Sequence, residues 1–205
     1  MVAIFGTFPV TAAASASGYP LPAALAGLSV KVNGIAAPFY YVSPNQLNVQ
    51  LPPSTQPGTA RMIVSAGGAD STPVGFTVAA AAPGIFADGE NHGAIRNQDG
   101  SINATSKPAE AGSIIVAFFT GIGPVDRDLA PGEAAPMDKL VYGTMPLTAT
   151  IGGKPCEVMF SGLAPGFAGL AQVNLKLSQG LATADRQLTL TAGGITSASV
   201  FVAVN

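Results

Sequence analysis

The chain has 205 residues, of which 48% are hydrophobic and only 10% charged, with a formal net charge of −2. Its nine Lys and Arg are scattered, which excludes the clustered cations that neutralise phosphate in nucleic-acid binding. No apolar run is long enough for a membrane-spanning helix, and 25 Gly with 17 Pro punctuate apolar stretches, a composition that predicts many short strands.

The start, MVAIFGTF, lacks the basic and long apolar regions of a signal peptide. It reads as a strand already in progress, so the natural chain is expected to extend upstream. Thr11 to Ala26 is rich in Ala, Ser, Gly and Pro and reads as a loop, or as a loop with one helical turn around Ala23–Ala26. Leu28 to Val32 alternates apolar and polar residues as a half-buried strand does. Asn33-Gly34 then signals a tight turn, because both residues tolerate positive φ. Pro38 to Val42 is the return strand, and Gln46 to Leu51 alternates again, with Leu47, Val49 and Leu51 on one face and Gln46, Asn48 and Gln50 on the other. Thr59 to Ala66, the Gly67-Gly68 turn and Thr72 to Val78 complete six to seven strands, the pattern of a sandwich.

Ala79 to Pro83 (AAAAP) reads as an extended linker, too short to nucleate a helix and closed by proline. Beyond it, Ala94–Asn97 and Ser101–Asn103 flank Asp99-Gly100 and predict a hairpin with a primed turn. The remainder replays the first half. Gln46–Gly68 reads QLNVQLPPSTQPGTARMIVSAGG, and Gln172–Gly194, 126 residues later (172 − 46), reads QVNLKLSQGLATADRQLTLTAGG. Ser113–Thr120 parallels the opening strand, and Leu147–Ile151 with Gly152-Gly153 parallels Leu28–Val32 with Asn33-Gly34, at an offset of 119 (152 − 33). The second copy has therefore gained seven residues, expected within Leu163–Gly169, a loop, where lengthening costs little. Cys156–Phe160, Ala171–Leu177, Arg186–Ala192 and Ser197–Val204 are its remaining strands. The predicted fold is all-β: two tandem immunoglobulin-like β-sandwich domains, residues 1–79 and residues 84–205, the second with an N-terminal hairpin and longer loops.

Leu28-Ser-Val-Lys-Val-Asn-Gly, Val42-Ser-Pro and Leu47-Asn-Val-Gln-Leu-Pro resemble the IPT/TIG class of immunoglobulin-like domains. Ala82-Pro-Gly-Ile-Phe86, Asn97-Gln-Asp-Gly-Ser101, Thr120-Gly-Ile-Gly-Pro124, Ile151-Gly-Gly153, Ala164-Pro-Gly166, Gln172-Val-Asn174 and the Gly-Gly-x-x-Ser at 193–197 together resemble the Solibacter uncharacterised C-terminal domain family. That resemblance implies a module closing a large secreted bacterial protein, located outside the cell or at its surface. It implies a non-catalytic structural or attachment role, with upstream domains of the parent protein, or extracellular polymer or protein, as partners. A carbohydrate- or polymer-binding module is the alternative. The family carries no established activity, so the resemblance transfers no catalytic, cofactor-binding or metal residue.

The chain's own chemistry leads to the same expectation of no enzyme, no cofactor and no metal. His92, the one histidine, follows Glu90-Asn91 and is expected to be a solvated loop residue. Cys156, the one cysteine, is expected to be a small buried side chain in a strand. Zinc needs three or four ligands, and these two lie far apart in sequence. Asp126 to Tyr142 is the longest charged loop, with Asp126, Asp128 and Glu133 together beside Arg127; paired carboxylates could hydrolyse glycosides, but a solvated loop is the expectation. Asp88-Gly-Glu-Asn91 and Asn97-Gln-Asp-Gly100 offer oxygen ligands of the kind calcium uses, yet read as tight turns. Thr120-Gly121-Ile122-Gly123 lacks the following helix that a phosphate cradle needs. The Gln46/Asn48 and Gln172/Asn174 amides are expected to bind loop backbone, with sugar binding as the alternative. Tyr19, Tyr142 and Phe167 fall in loops and are the aromatics that a binding surface could use.

Overall fold

The computed structural model describes residues 1–181 and 183–205. The fold is all-β, and every ladder between its strands is antiparallel. It has the immunoglobulin-like sandwich character that the sequence predicts. The chain divides into two compact units: Met1–Ala80 with Arg127–Lys139 and Pro165–Gly169, and Ala81–Asp126 with Leu140–Ala164 and Leu170–Asn205.

The first unit holds β1 (Val2–Phe5), β2 (Ala14–Ser15), β3 (Ala24–Leu25), β4 (Leu28–Val32), β5 (Ile35–Ala36), β6 (Phe39–Val42), β7 (Gln46–Val49), β8 (Gly58–Ala66), β9 (Ala69–Asp70) and β10 (Val74–Val78). One sheet runs β1-β7-β6-β2 and the other β10-β8-β4-β3, with β5 added to β4 and β9 to β8. A single core is shared by both: Leu28, Val30 and Val32 of β4 and Ala60 of β8 pack with Phe39, Val42, Leu47 and Val49 of β6 and β7. The alternation in the sequence produces this arrangement, since side chains two apart on a strand share a face. The Asn33-Gly34 turn has φ of 50° and 84°, the primed turn that suits a right-twisted hairpin. Around residues 23–26 the helical-turn alternative gives way to β3, paired on β4 and followed by Ala26 and Gly27 at positive φ.

The second unit holds β11 (Gly84–Ile85), β12 (Ile95–Arg96), β13 (Ile114–Thr120), β14 (Leu147–Ile151), β15 (Lys154–Leu163), β16 (Ala171–Lys176), β17 (Ala184–Ala192), β18 (Ile195–Thr196) and β19 (Val200–Val204). Its ladders run β11-β13-β16-β15-β14-β17-β18, with β12 on β13 and β19 on β17. Ile115, Ala117 and Phe119 of β13, Val173 and Leu175 of β16, and Leu188 and Leu190 of β17 are buried. The Asp99-Gly100 turn is not primed: Gly100 alone has positive φ (82°), and its N–H bonds to Asn97 O. Asp99 keeps negative φ because its carboxylate accepts bonds from the Ser101 N–H and O–H, which hold the turn in its ordinary hand.

The register shows the duplication directly. β1 on β7 corresponds to β13 on β16, and β4-β8-β10 corresponds to β14-β17-β19. Both copies carry a β-bulge at the same place, at Tyr40 between Phe39 and Tyr41 and at Met159 between Val158 and Phe160. The extra residues of the second copy lie after β15, in the segment 164–170 that precedes β16. One difference follows from a single residue. β15 runs unbroken and pairs with both β14 and β16, whereas its counterpart is split into β5 and β6 around Pro38, which has no N–H to donate.

Candidate binding cleft

The polar groups of the first unit are largely spent on holding loops. Gln50, at the end of the β7 alternation, is 7% exposed. Its Oε1 accepts the Gly132 N–H at 2.6 Å, and Gly132 O accepts the Leu21 N–H at 2.9 Å. Gly132 has φ of +84°, and a Cβ there would sit 2.7 Å from Leu21 O, so the close approach of these backbones requires glycine. The bulge residue Tyr40 donates its O–H to Ala168 O at 2.6 Å. Phe167 O accepts the Ala135 N–H at 2.9 Å, and Ala135 O accepts the Gly166 N–H at 2.8 Å. Burial, and after it the neighbouring Tyr19, push the Tyr40 hydroxyl well above the ordinary tyrosine range.

These bonds fix the walls of an open cleft of about 420 Å³, lined by Tyr19, Pro20, Ala130, Pro131, Glu133 and Ala134. The ring of Phe167 stands edge-on to Tyr19, with centroids 6.3 Å apart and planes at 77°. Tyr19 is 43% exposed and Phe167 46%, so much of both rings faces solvent. Glu133 Oε2 accepts the Ala130 N–H at 2.8 Å, which orients the carboxylate on the cleft wall. Such a surface suits recognition of a ligand by shape and apolar contact.

Of the three aromatics singled out in the sequence, Tyr19 and Phe167 are thus brought together. Tyr142 pairs instead with Phe160 in the second unit, at 5.3 Å and 63°. The carboxylates of the charged loop do not share one role. Asp126, in the second unit, closes a bridge: its N–H donates to Tyr142 O, and its Oδ1 accepts the Tyr142 N–H, both at 2.9 Å. Asp128 and Glu133 belong to the first unit. Asp88 Oδ1 accepts the N–H of Glu90 and of His92, so the Asp88–Asn91 segment is a turn. Hydrogen bonds from the Ser101 hydroxyl and N–H, helped by Lys107, hold the Asp99 carboxyl below the usual range. Among the described residues no three potential metal ligands gather.

His92 is not a solvated loop residue. Its side chain is 18% exposed, with Nε2 3.9 Å from Asp185 Oδ2 and its ring 6.0 Å from that of Phe201. Backbone pairing of His92 with Phe201 draws it in, which no local pattern indicates. Cys156 lies in β15 as expected, half-buried, and donates its S–H to Lys176 O at 3.0 Å. Burial, with the charge of Glu157, pushes its thiol up to about 11. Among the described residues the Gln/Asn pairs bond to each other and not to loop backbone: Gln46 Nε2 donates to Asn48 Oδ1 at 2.8 Å and Gln172 Nε2 to Asn174 Oδ1 at 3.5 Å. Gln50, Tyr40 and Gly132, which build the cleft, carry no sequence signal beyond a polar residue on a strand and a Pro-Gly turn.

No protein-family model matches the chain, and no curated protein does. Several solved structures are similar to it, two of them as follows. A tandem pair of titin immunoglobulin domains is 11% identical, with 87% of this chain and 81% of that one covered and a TM-score of 0.26. The C-terminal domain of the AgI/II polypeptide BspA of Streptococcus agalactiae is 9% identical, with 86% and 75% covered and a TM-score of 0.21.

Proposed function

We propose that the chain is a non-catalytic attachment module of a larger extracellular bacterial protein, and that the cleft lined by Tyr19, beside Phe167, is the surface that holds its partner. The observation that carries this reading is where the second copy's added residues go. Pro165–Gly169 lie within the added segment and belong to the first unit, where they supply the Ala168 carbonyl bound by Tyr40 and the Phe167 ring set against Tyr19. Extra chain that sets a half-exposed ring against the cleft's one aromatic residue is better explained by recognition than by scaffolding alone. The two repeats, 1–79 and 84–205, supply the frame. The resemblance to the Solibacter C-terminal domain family supports a place at the end of a secreted protein, beside upstream domains of the same chain.

A second reading, a carbohydrate- or polymer-binding module, is favoured by the half-exposed Tyr19 and Phe167 rings. Both are tested by co-sedimenting the purified chain with insoluble bacterial envelope polymer, and by a glycan array with and without calcium. Retention on envelope polymer that is lost in the Tyr19→Ala/Phe167→Ala double variant supports the attachment reading, and a glycan hit lost in that variant supports the second. Hydrolysis of the polymer that disappears in Asp126→Asn or Asp128→Asn overturns the non-catalytic assignment.

A further inference from the structure

We propose that the cleft of the first unit takes an organic cation, an alkylammonium or quaternary ammonium group borne by the partner. This rests on the reading of the cleft as the attachment surface and adds the chemistry of what enters it. Five of the six lining residues, Tyr19, Pro20, Ala130, Pro131 and Ala134, offer ring or hydrocarbon, and Glu133 is the only charged one. The carboxylate is held by the Ala130 N–H and forms no ion pair with Lys, Arg or His among the described residues. Neither Arg127 nor Lys139, at the two ends of the same segment, forms an ion pair with it.

That combination selects among ligands. An anion meets the Glu133 charge and no cation. A bare divalent metal needs about six oxygen ligands, and the lining supplies one carboxylate. A neutral sugar is recognised through several hydrogen-bonding side chains, and here Tyr19 carries the one hydroxyl. An alkylated ammonium fits each feature. Its methyl groups pack on proline and alanine, its diffuse charge is attracted to an aromatic face, and Glu133 supplies the counter-charge. Tyr19 is 43% exposed, and Phe167 packs against it with centroids 6.3 Å apart and planes at 77°, which limits the rotation of the one aromatic ring that the cleft offers such a cation.

The test is a two-dimensional NMR titration of the whole chain with tetramethylammonium chloride, with sodium chloride at equal ionic strength and neutral tert-butanol as controls. The expected result is a saturable shift of the Ala130, Glu133 and Ala134 amides and of the Tyr19 ring with tetramethylammonium alone. Tyr19→Ala and Glu133→Gln each weaken it by about threefold or more, while amides elsewhere keep their positions. No saturable shift, or equal shifts with tert-butanol, overturns the proposal. The envelope-polymer assay separates the two levels. Retention that depends on Tyr19 and Phe167 with no tetramethylammonium response sinks the cation assignment alone. Retention indifferent to both rings sinks the attachment reading as well.

Discussion

The side-chain amide of Asn103 does for Ala203 what a neighbouring strand would do. Its Nδ2 donates to Ala203 O and its Oδ1 accepts the Ala203 N–H, both at 2.8 Å, across 100 residues of chain. Nδ2 also donates to Asn97 Oδ1 at 2.9 Å, and Asn103 is 4% exposed. Ala203 lies on β19, whose strand partner is β17 on its other side. The amide therefore fills the gap on that side of β19 between the bridge of His92 to Phe201 and the bridge of Ala109 to Val204.

Asn103→Ala should be costly for that reason. Ala203 O keeps a second donor, the Ala109 N–H at 2.9 Å, but the Ala203 N–H and Asn97 Oδ1 lose this partner in a buried setting. A destabilisation of about 2–4 kcal/mol is expected, read as a lower denaturant midpoint with tryptophan-free far-UV detection. A change below about 0.5 kcal/mol would mean that the gap is filled by other means.

The duplication provides an internal control for a second prediction. Ser71 Oγ accepts the Val64 N–H and Ser197 Oγ accepts the Leu190 N–H, both at 3.1 Å. The two sites correspond, but Ser197 is buried at 8% exposure and Ser71 is exposed. Water can replace the hydroxyl at Ser71 and cannot readily do so at Ser197. Ser197→Ala is expected to cost about 1–3 kcal/mol and Ser71→Ala less than about 1, measured by parallel denaturant titrations.

Tyr40 makes stability depend on alkaline pH. Its folded pKa is raised by burial and by Tyr19, so the folded state binds the phenolic proton more tightly than the unfolded state does. The contribution is fully present below the unfolded value of about 10 and is lost as pH climbs from there toward the folded value. Thermal melts above pH 10 should therefore fall more steeply for the native chain than for Tyr40→Phe. At neutral pH the same variant loses the bond to Ala168 O and about 1 kcal/mol.

Cys156 should resist alkylation. With its thiol pushed up to about 11 by burial and Glu157, about 0.1% is thiolate at pH 8, against roughly a quarter for a free cysteine. Iodoacetamide should label the folded chain about a hundredfold more slowly than the chain in denaturant. Equal rates would place the thiol in solvent.

What was legible in the sequence was what recurs locally. Leu28–Val32 and Leu147–Ile151 show their inward faces by a two-residue period, and Asn33-Gly34 and Gly152-Gly153 announce their turns by residue type. The change of offset between the copies located the added residues before β16. The destination of those residues was not legible. That Ala168 meets Tyr40 and Gly132 meets Gln50 depends on contacts 128 and 82 residues apart, and nothing in the local pattern encodes them. The burial of His92 is illegible for the same reason, since it comes from Phe201 and Asp185 and not from its polar neighbours.

The matched bulges at Tyr40 and Met159 have a historical consequence. A kink at one register in both copies is most simply inherited, so the ancestor already aimed one side chain off the regular pleat before it was copied. One descendant turned that inherited pointer into an anchor, through Ala168. In the other, Met159 remains 54% exposed, an outward position at which a label or a grafted group would be displayed without disturbing any strand.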